Sequence, residues 1–98
     1  MLGREQIKQI VSEVVTANTT PGSVRDVMTE PATAFEGEEA VRITIVLTPD
    51  AVTQLEAGAA GDTVVQIMDR LRDAGEERFP ILQYATEEEL EQVGDPES

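Results

Sequence analysis

The order of apolar patterns along this 98-residue chain constrains its fold more than any other feature. The first pattern repeats at intervals of three and four residues, at Ile7, Ile10, Val11, Val14 and Val15. This spacing predicts an amphipathic helix over residues 4–16 with one buried face. Pro21 and Gly22 follow among small polar residues, so we expect a loop to end this helix.

Two extended segments come next. Residues 24–35 alternate weakly, and Pro31 within them cannot donate a ladder hydrogen bond, so the segment is predicted to be an edge strand or to bulge there. Beyond the polar connection 36–39, the clearest strand pattern of the chain has its apolar residues at Val41, Ile43, Ile45 and Leu47. We expect an antiparallel hairpin that buries these odd-numbered residues, while Val46 indicates partial cover of its other face.

Residues 48–50 carry the signals of a helix start. A threonine hydroxyl can cap the helix, a proline suits its first turn, and an acid suits its positive end. They predict a short helix that runs to about Ala57.

A glycine-bounded turn and a second helix are predicted next. Gly58 and Gly61 bracket the turn, Asp62 is the predicted N-cap, and Gly75 ends the helix. The predicted buried face of this helix consists of Val64, Ile67, Met68 and Leu71.

The remaining patterns are a strand and a short helix. Residues 79–84 are apolar and β-prone, so they are predicted to form a third strand reached by a helical crossover. Thr86 and Glu89 have the spacing of a capping box and predict a terminal helix through Val93. The fold class is therefore α+β, with the order α-β-β-α-α-β-α and a small three-stranded sheet that has helices packed on one face. We expect one domain over residues 1–93 and a frayed acidic tail over residues 94–98.

The charge of the chain limits the functions that it can perform. The formal net charge is −13, with −6 over residues 1–75 and −7 over residues 76–98. Such a surface repels phosphate backbones and anionic lipids, and it favours solubility or a basic partner. The chain has no histidine and no cysteine, so no zinc site and no disulfide are expected, and the composition favours a reducing, cytoplasmic location. We expect neither a signal peptide nor a membrane span.

Two acidic clusters are the candidates for catalysis or metal binding. Glu36, Glu38 and Glu39 fall in the predicted hairpin loop, and Glu87–Glu89 fall in the first turn of the last helix. Neither cluster has apolar surroundings in the sequence or the spacing of a calcium-binding loop, so both are predicted to be solvated surface. We therefore predict no enzymatic activity, no cofactor and no metal.

The glycine turn carries one family resemblance. The order α-β-β-α-α-β over about residues 4–84, with the turn between its two middle helices, resembles the type II KH domain of RNA-binding proteins. The resemblance implies that Gly58, Ala59, Ala60, Gly61 and Val64 would clamp a nucleic-acid backbone. Acids flank this motif, and no lysine follows Lys8, so RNA binding remains the alternative hypothesis. The plain structural interpretation is a turn that lets two helices cross closely.

The strand at residues 79–84 is the candidate protein-binding segment. Phe79 and Tyr84 are two of only three aromatic residues, and aromatic side chains supply much of the binding energy at protein interfaces. We predict contacts by Phe79, Ile81 and Tyr84, with Glu87–Glu89 as an electrostatic rim. The alternative is that Phe79 and Ile81 close one end of the core. The function predicted from the sequence is a protein–protein interaction module, either a homodimer or the acidic member of a pair.

Overall fold

A computed structural model describes residues 2–93, and across them the predicted α+β order α-β-β-α-α-β-α is confirmed. The elements are α1 (Arg4–Asn18), β1 (Val24–Thr33), β2 (Glu39–Leu47), α2 (Pro49–Gln54), α3 (Ala60–Asp73), β3 (Phe79–Thr86) and α4 (Glu87–Val93). A 3-10 turn, Phe35–Gly37, joins β1 to β2, and a π-helical turn, Leu55–Ala59, joins α2 to α3. The predicted tail over residues 94–98 lies outside the described residues.

The three strands lie in the order β1-β2-β3. β1 and β2 form the predicted antiparallel hairpin, with Val27 opposite Ile45. β3 runs parallel to β2 after the predicted helical crossover, with Leu82 beside Ile43. Pro31 lies in the edge strand β1, as predicted, where a missing N–H costs the sheet least.

The core lies between one face of this sheet and helices α1, α2 and α3. Its buried residues include Ile7, Val11, Val14 and Val15 from α1, Val41, Ile43, Ile45 and Leu47 from β2, Ala51 from α2, and Ile67 and Leu71 from α3. The odd-numbered residues of β2 are therefore the buried set, as predicted. Val46 on the other face is also buried, at 2% exposure.

The connection between α2 and α3 differs from the prediction. No separate turn spans Gly58 to Gly61: a kink at Gly58, whose φ is +148°, separates the two helical stretches, and α3 begins at Ala60. Asp62 is therefore a first-turn residue of α3 and not its N-cap. Glycine tolerates the positive φ, and the alanines that follow are strong helix formers, so the helix starts three residues earlier than an N-cap at Asp62 predicts.

The buried face of α3 is also shifted from the prediction. Thr63 is fully buried together with Ile67 and Leu71, whereas Val64 and Met68 are only half-buried. The apolar pattern alone could not show this, because a threonine was counted as polar.

The predicted capping residues of α2 and α4 are confirmed by hydrogen bonds. The Thr48 hydroxyl accepts from the amide of Ala51 at 3.3 Å. At α4 the amide of Glu89 donates to the Thr86 hydroxyl at 3.2 Å, and the amide of Thr86 donates to Glu89 Oε1 at 3.3 Å. This reciprocal pair is a capping box.

Candidate protein-binding surface

The sheet has a second face, opposite the core, that carries the candidate site. Alternation along β3 directs Leu82 and Tyr84 to the core and Phe79 and Ile81 to the other side. Because paired residues of neighbouring strands share a face, the register extends this set into β1 and β2. We call this surface the open face and define it by its exposed or half-buried residues, Met28, Glu30, Arg42, Thr44, Phe79, Ile81 and Gln83. Ala40 and Val46 lie on the same side of the sheet but are buried.

An apolar groove lies at the end of the open face where β2 and β3 begin. It has a volume of about 430 Å³ and is lined by Thr33, Ala34, Phe35, Phe79 and Ile81. Phe35 is 94% exposed and Phe79 is 52% exposed, and they are the only phenylalanines of the chain. Phe79 therefore does not close the core, which is built from aliphatic residues and the half-buried Tyr84.

Phe35 reaches the groove because the strand ends earlier than predicted. β1 stops at Thr33, and the 3-10 turn that follows has positive φ at Glu36 (+64°) and Gly37 (+81°). The prediction that residues 24–35 form one strand is wrong at its end, because this turn begins at Phe35. Gly37 was the available signal, since glycine commonly marks a left-handed turn position.

An acidic cleft adjoins the apolar groove, and Phe79 lines both. The cleft has a volume of about 850 Å³. Its lining residues include Glu38, Glu39, Arg72, Glu76, Glu77 and Arg78. The groove and the cleft thus adjoin each other at Phe79, which is half-exposed.

Two of the charges in the cleft neutralise each other. Arg78 Nη2 donates to Glu76 Oε1 at 2.8 Å, and Arg78 Nε donates to Glu76 Oε2 at 3.0 Å. The Glu76 side chain is 1% exposed and that of Arg78 is 15% exposed. The Leu2 amide donates to Glu76 Oε1 at 3.2 Å, and the Leu2 carbonyl accepts from Arg78 Nη2 at 3.3 Å. This buried pair ties the start of the chain to the loop before β3.

Hydrogen bonds explain the titration of this pair. The guanidinium of Arg78 lowers the pKa of Glu76 from 4.5 to about 2, against the opposing effect of burial, and the backbone amides of Arg78 and Leu2 add to the lowering. Glu76 in turn raises the pKa of Arg78. Sequence reasoning did not find this pair, although Glu76 and Arg78 are two residues apart in a segment that leads into a strand, where such residues share a side.

The remaining protein-binding candidates lie elsewhere. Tyr84 is on the core face, where burial raises the pKa of its hydroxyl, and that hydroxyl has no hydrogen-bond partner within residues 2–93. Glu87 pairs with Arg25 at 3.0 Å and Glu89 caps α4, at the opposite end of β3 from Phe79, while Glu88 is exposed in the same turn. The structure therefore brings Phe79 and Ile81 together with Phe35, and not with Tyr84 or Glu87–Glu89.

The residues of the KH resemblance lie at the π-helical turn and the start of α3. Gly58 and Gly61 are exposed, and a Cβ built on either meets no heavy atom within 4 Å apart from its chain neighbours and its own helix backbone. Ala60 packs partly against the core, Val64 is half-buried, and the backbone of Ala59 completes the turn. Glu56 and Asp62, on either side, are exposed acids.

In the part of the chain that the structure describes, no three acidic side chains are grouped so as to hold a metal ion. The helices described there are too short or too polar to cross a membrane. Comparison with protein-family models, curated proteins and solved structures finds no match to this chain.

Proposed function

We propose that this protein works by binding another polypeptide through the open face, with the apolar groove as the anchor point. The observation that carries the proposal is the exposure of both phenylalanines on one groove, at 94% and 52%. Large apolar side chains are usually buried in a small domain, because each one adds about 1.5–3 kcal/mol of folding stability when buried. Two that stay outside, next to each other, favour a surface that a partner covers.

The energetics of protein interfaces agree with this proposal. A few aromatic anchors in a pocket commonly supply most of the binding energy, and polar contacts around them exclude water. Phe79 and Ile81 project from a sheet that pairs β3 firmly with β2, and only Phe35 stands on a turn. A partner would therefore meet a largely preformed surface, which lowers the entropy cost of binding.

A photo-crosslinking experiment tests the proposal. Phe79 is replaced by the photoreactive residue benzoylphenylalanine, and the matched control carries the same residue at Val65, which is 57% exposed on α3. Irradiation of the native cells should give a discrete protein adduct from position 79 that is lost when Ile81→Asp is added. No adduct at position 79, or the same adducts from position 65, would contradict the proposal.

The KH-type alternative has less support from the geometry. The sequence-independent affinity for a phosphate backbone comes from lysine and arginine, whereas the glycines that would approach that backbone are flanked by the exposed acids Glu56 and Asp62. A titration with single-stranded RNA at low salt separates the two functions. We expect no binding; affinity that falls steeply with salt and disappears in Ala59→Asp would favour the nucleic-acid function instead.

A further inference from the structure

We infer that the occupant of the apolar groove is a basic polypeptide segment, whose apolar side chain enters the groove while its lysine or arginine residues meet the carboxylates of the acidic cleft. This inference rests on the proposed function and names the chemistry of its partner. It depends on three features: the continuity between the groove and the cleft, the charge of the cleft, and the net charge of the whole chain.

Continuity comes from Phe79, which is a lining residue of both the groove and the cleft. A partner residue that packs against this ring places its sequence neighbours beside the carboxylates of the cleft. The face of an aromatic ring also attracts a guanidinium or ammonium group directly. A segment with apolar and cationic residues close together therefore fits the surface at both places.

The local charge of the cleft is negative after its internal pairing is counted. Glu76 and Arg78 neutralise each other in a buried pair, and five hydrogen bonds join Glu76, Arg78 and Leu2. The lining charges outside that pair are Glu38, Glu39, Glu77 and Arg72. Three carboxylates against one guanidinium leave an excess of acid beside the exposed ring.

The net charge argues against a second copy of the chain as the occupant. A symmetric dimer through this face would place the same patch of each copy against the other, so the acidic clefts would approach each other. Each copy carries −13 in total, and like charges at an interface cost affinity and slow association. The same charge repels nucleic acids and anionic membranes, whereas it attracts a basic segment at long range.

A pair of synthetic peptides tests the inference on the full-length protein. One is a short peptide in which lysine alternates with leucine and phenylalanine, and the other has glutamate in place of every lysine. In an NMR titration we expect the basic peptide to bind at least about tenfold more tightly than the acidic one, with amide shifts at Phe35, Phe79 and Ile81. Its affinity should fall roughly tenfold between low and physiological salt.

Matched variants separate local charge from net charge. Glu38→Lys with Glu77→Lys reverses two carboxylates of the cleft, and the control pair Asp50→Lys with Glu56→Lys makes the same change in net charge at α2 and the turn after it, beyond the other end of β2. The cleft pair should lose at least about tenfold in affinity for the basic peptide, and the control pair much less. Phe79→Ser should lose a similar factor, whereas Val65→Ser should leave the affinity unchanged.

Several outcomes would overturn the inference, and they differ in what they mean for the proposed function. Equal binding of both peptides in the groove, or a dimer that Phe79→Ser abolishes in sedimentation, would overturn the basic partner and leave protein association through the open face intact. Equal losses in the cleft pair and the control pair would overturn the role of the cleft. Failure of the basic peptide to bind would overturn the inference, while the crosslink at position 79 decides the proposed function separately.

Discussion

The two faces of the sheet are made from the same three strands, but they differ in what they contribute to the molecule. On the core face, Ile43 and Ile45 are completely buried under the helices. On the open face, Phe79 is half-exposed and Met28 is 41% exposed, around an exposed ion pair between Arg42 and Glu30 at 3.0 Å. Aliphatic residues therefore build the core, while both phenylalanines remain exposed at the surface.

The two faces should differ most in how much an isoleucine on each contributes to the free energy of unfolding. Ile43→Ala removes a fully buried side chain from β2 and should lower the free energy of unfolding by about 4 kcal/mol, because it leaves a cavity. Ile81→Ala makes the same chemical change on the open face of β3 and should cost about 1 kcal/mol or less. Urea unfolding measures both, and equal losses would show that the open face also stabilises the fold.

The two faces also differ in their ion pairs. Glu76→Gln leaves the Arg78 guanidinium buried without its carboxylate and should cost about 3 kcal/mol of unfolding free energy. Arg42→Gln breaks a pair whose side chains are 44% and 60% exposed, and it should cost about 0.5 kcal/mol or less. The same urea series compares them. A loss of unfolding free energy in Arg42→Gln as large as that in Glu76→Gln would mean that the exposed ion pair also stabilises the fold.

The pH dependence of stability follows from the same buried pair. The folded-state pKa of Glu76 is lowered, so its contribution is fully present above its ordinary pKa of 4.5 and is lost as the pH falls toward about 2. The shift corresponds to a contribution on the order of 3 kcal/mol. Unfolding free energies measured between pH 6 and pH 2 should show this loss in the wild type and in Glu30→Gln, and a clearly smaller loss in Glu76→Gln. An unchanged profile in Glu76→Gln would contradict this role of the pair.

A smaller change, an increase in the free energy of unfolding, is expected on the core face of β3. The buried hydroxyl of Tyr84 has no hydrogen-bond partner in the described chain, and an unsatisfied polar group destabilises a core. Tyr84→Phe should therefore raise the free energy of unfolding by up to about 1 kcal/mol, measured by thermal and urea unfolding. Destabilisation would instead indicate that the hydroxyl has a role in the fold.

Much of the fold could be predicted from the sequence because its signals are local. The spacing of Ile7 and Val11, the alternation from Val41 to Leu47 and the capping residues Thr48 and Thr86 each determine a helix or strand through short-range geometry, and each is present in the structure. The turn at Gly58 was placed correctly along the chain but given the wrong conformation. Pattern reasoning does not distinguish a separate loop from a single glycine at positive φ.

The candidate surface was harder to predict because it depends on contacts between distant parts of the chain. The sequence marks Phe79 and Ile81 as apolar residues of a short strand, but only the pairing with β2 shows that they face away from Tyr84. Phe35 lies 44 positions before Phe79 and joins it only through the hairpin and the crossover. The buried pair of Glu76 and Arg78 likewise needs the backbone of Leu2 to complete its hydrogen bonds.

The most direct test of this account is the stability of the double variant Phe35→Ser with Phe79→Ser, which removes both aromatic rings from the groove. If the groove serves binding and not folding, the free energy of unfolding in urea should stay within about 1 kcal/mol of the wild-type value, since Phe35 is almost fully exposed and Phe79 is half-exposed. A loss of about 3 kcal/mol or more, as expected for core residues, would contradict the account.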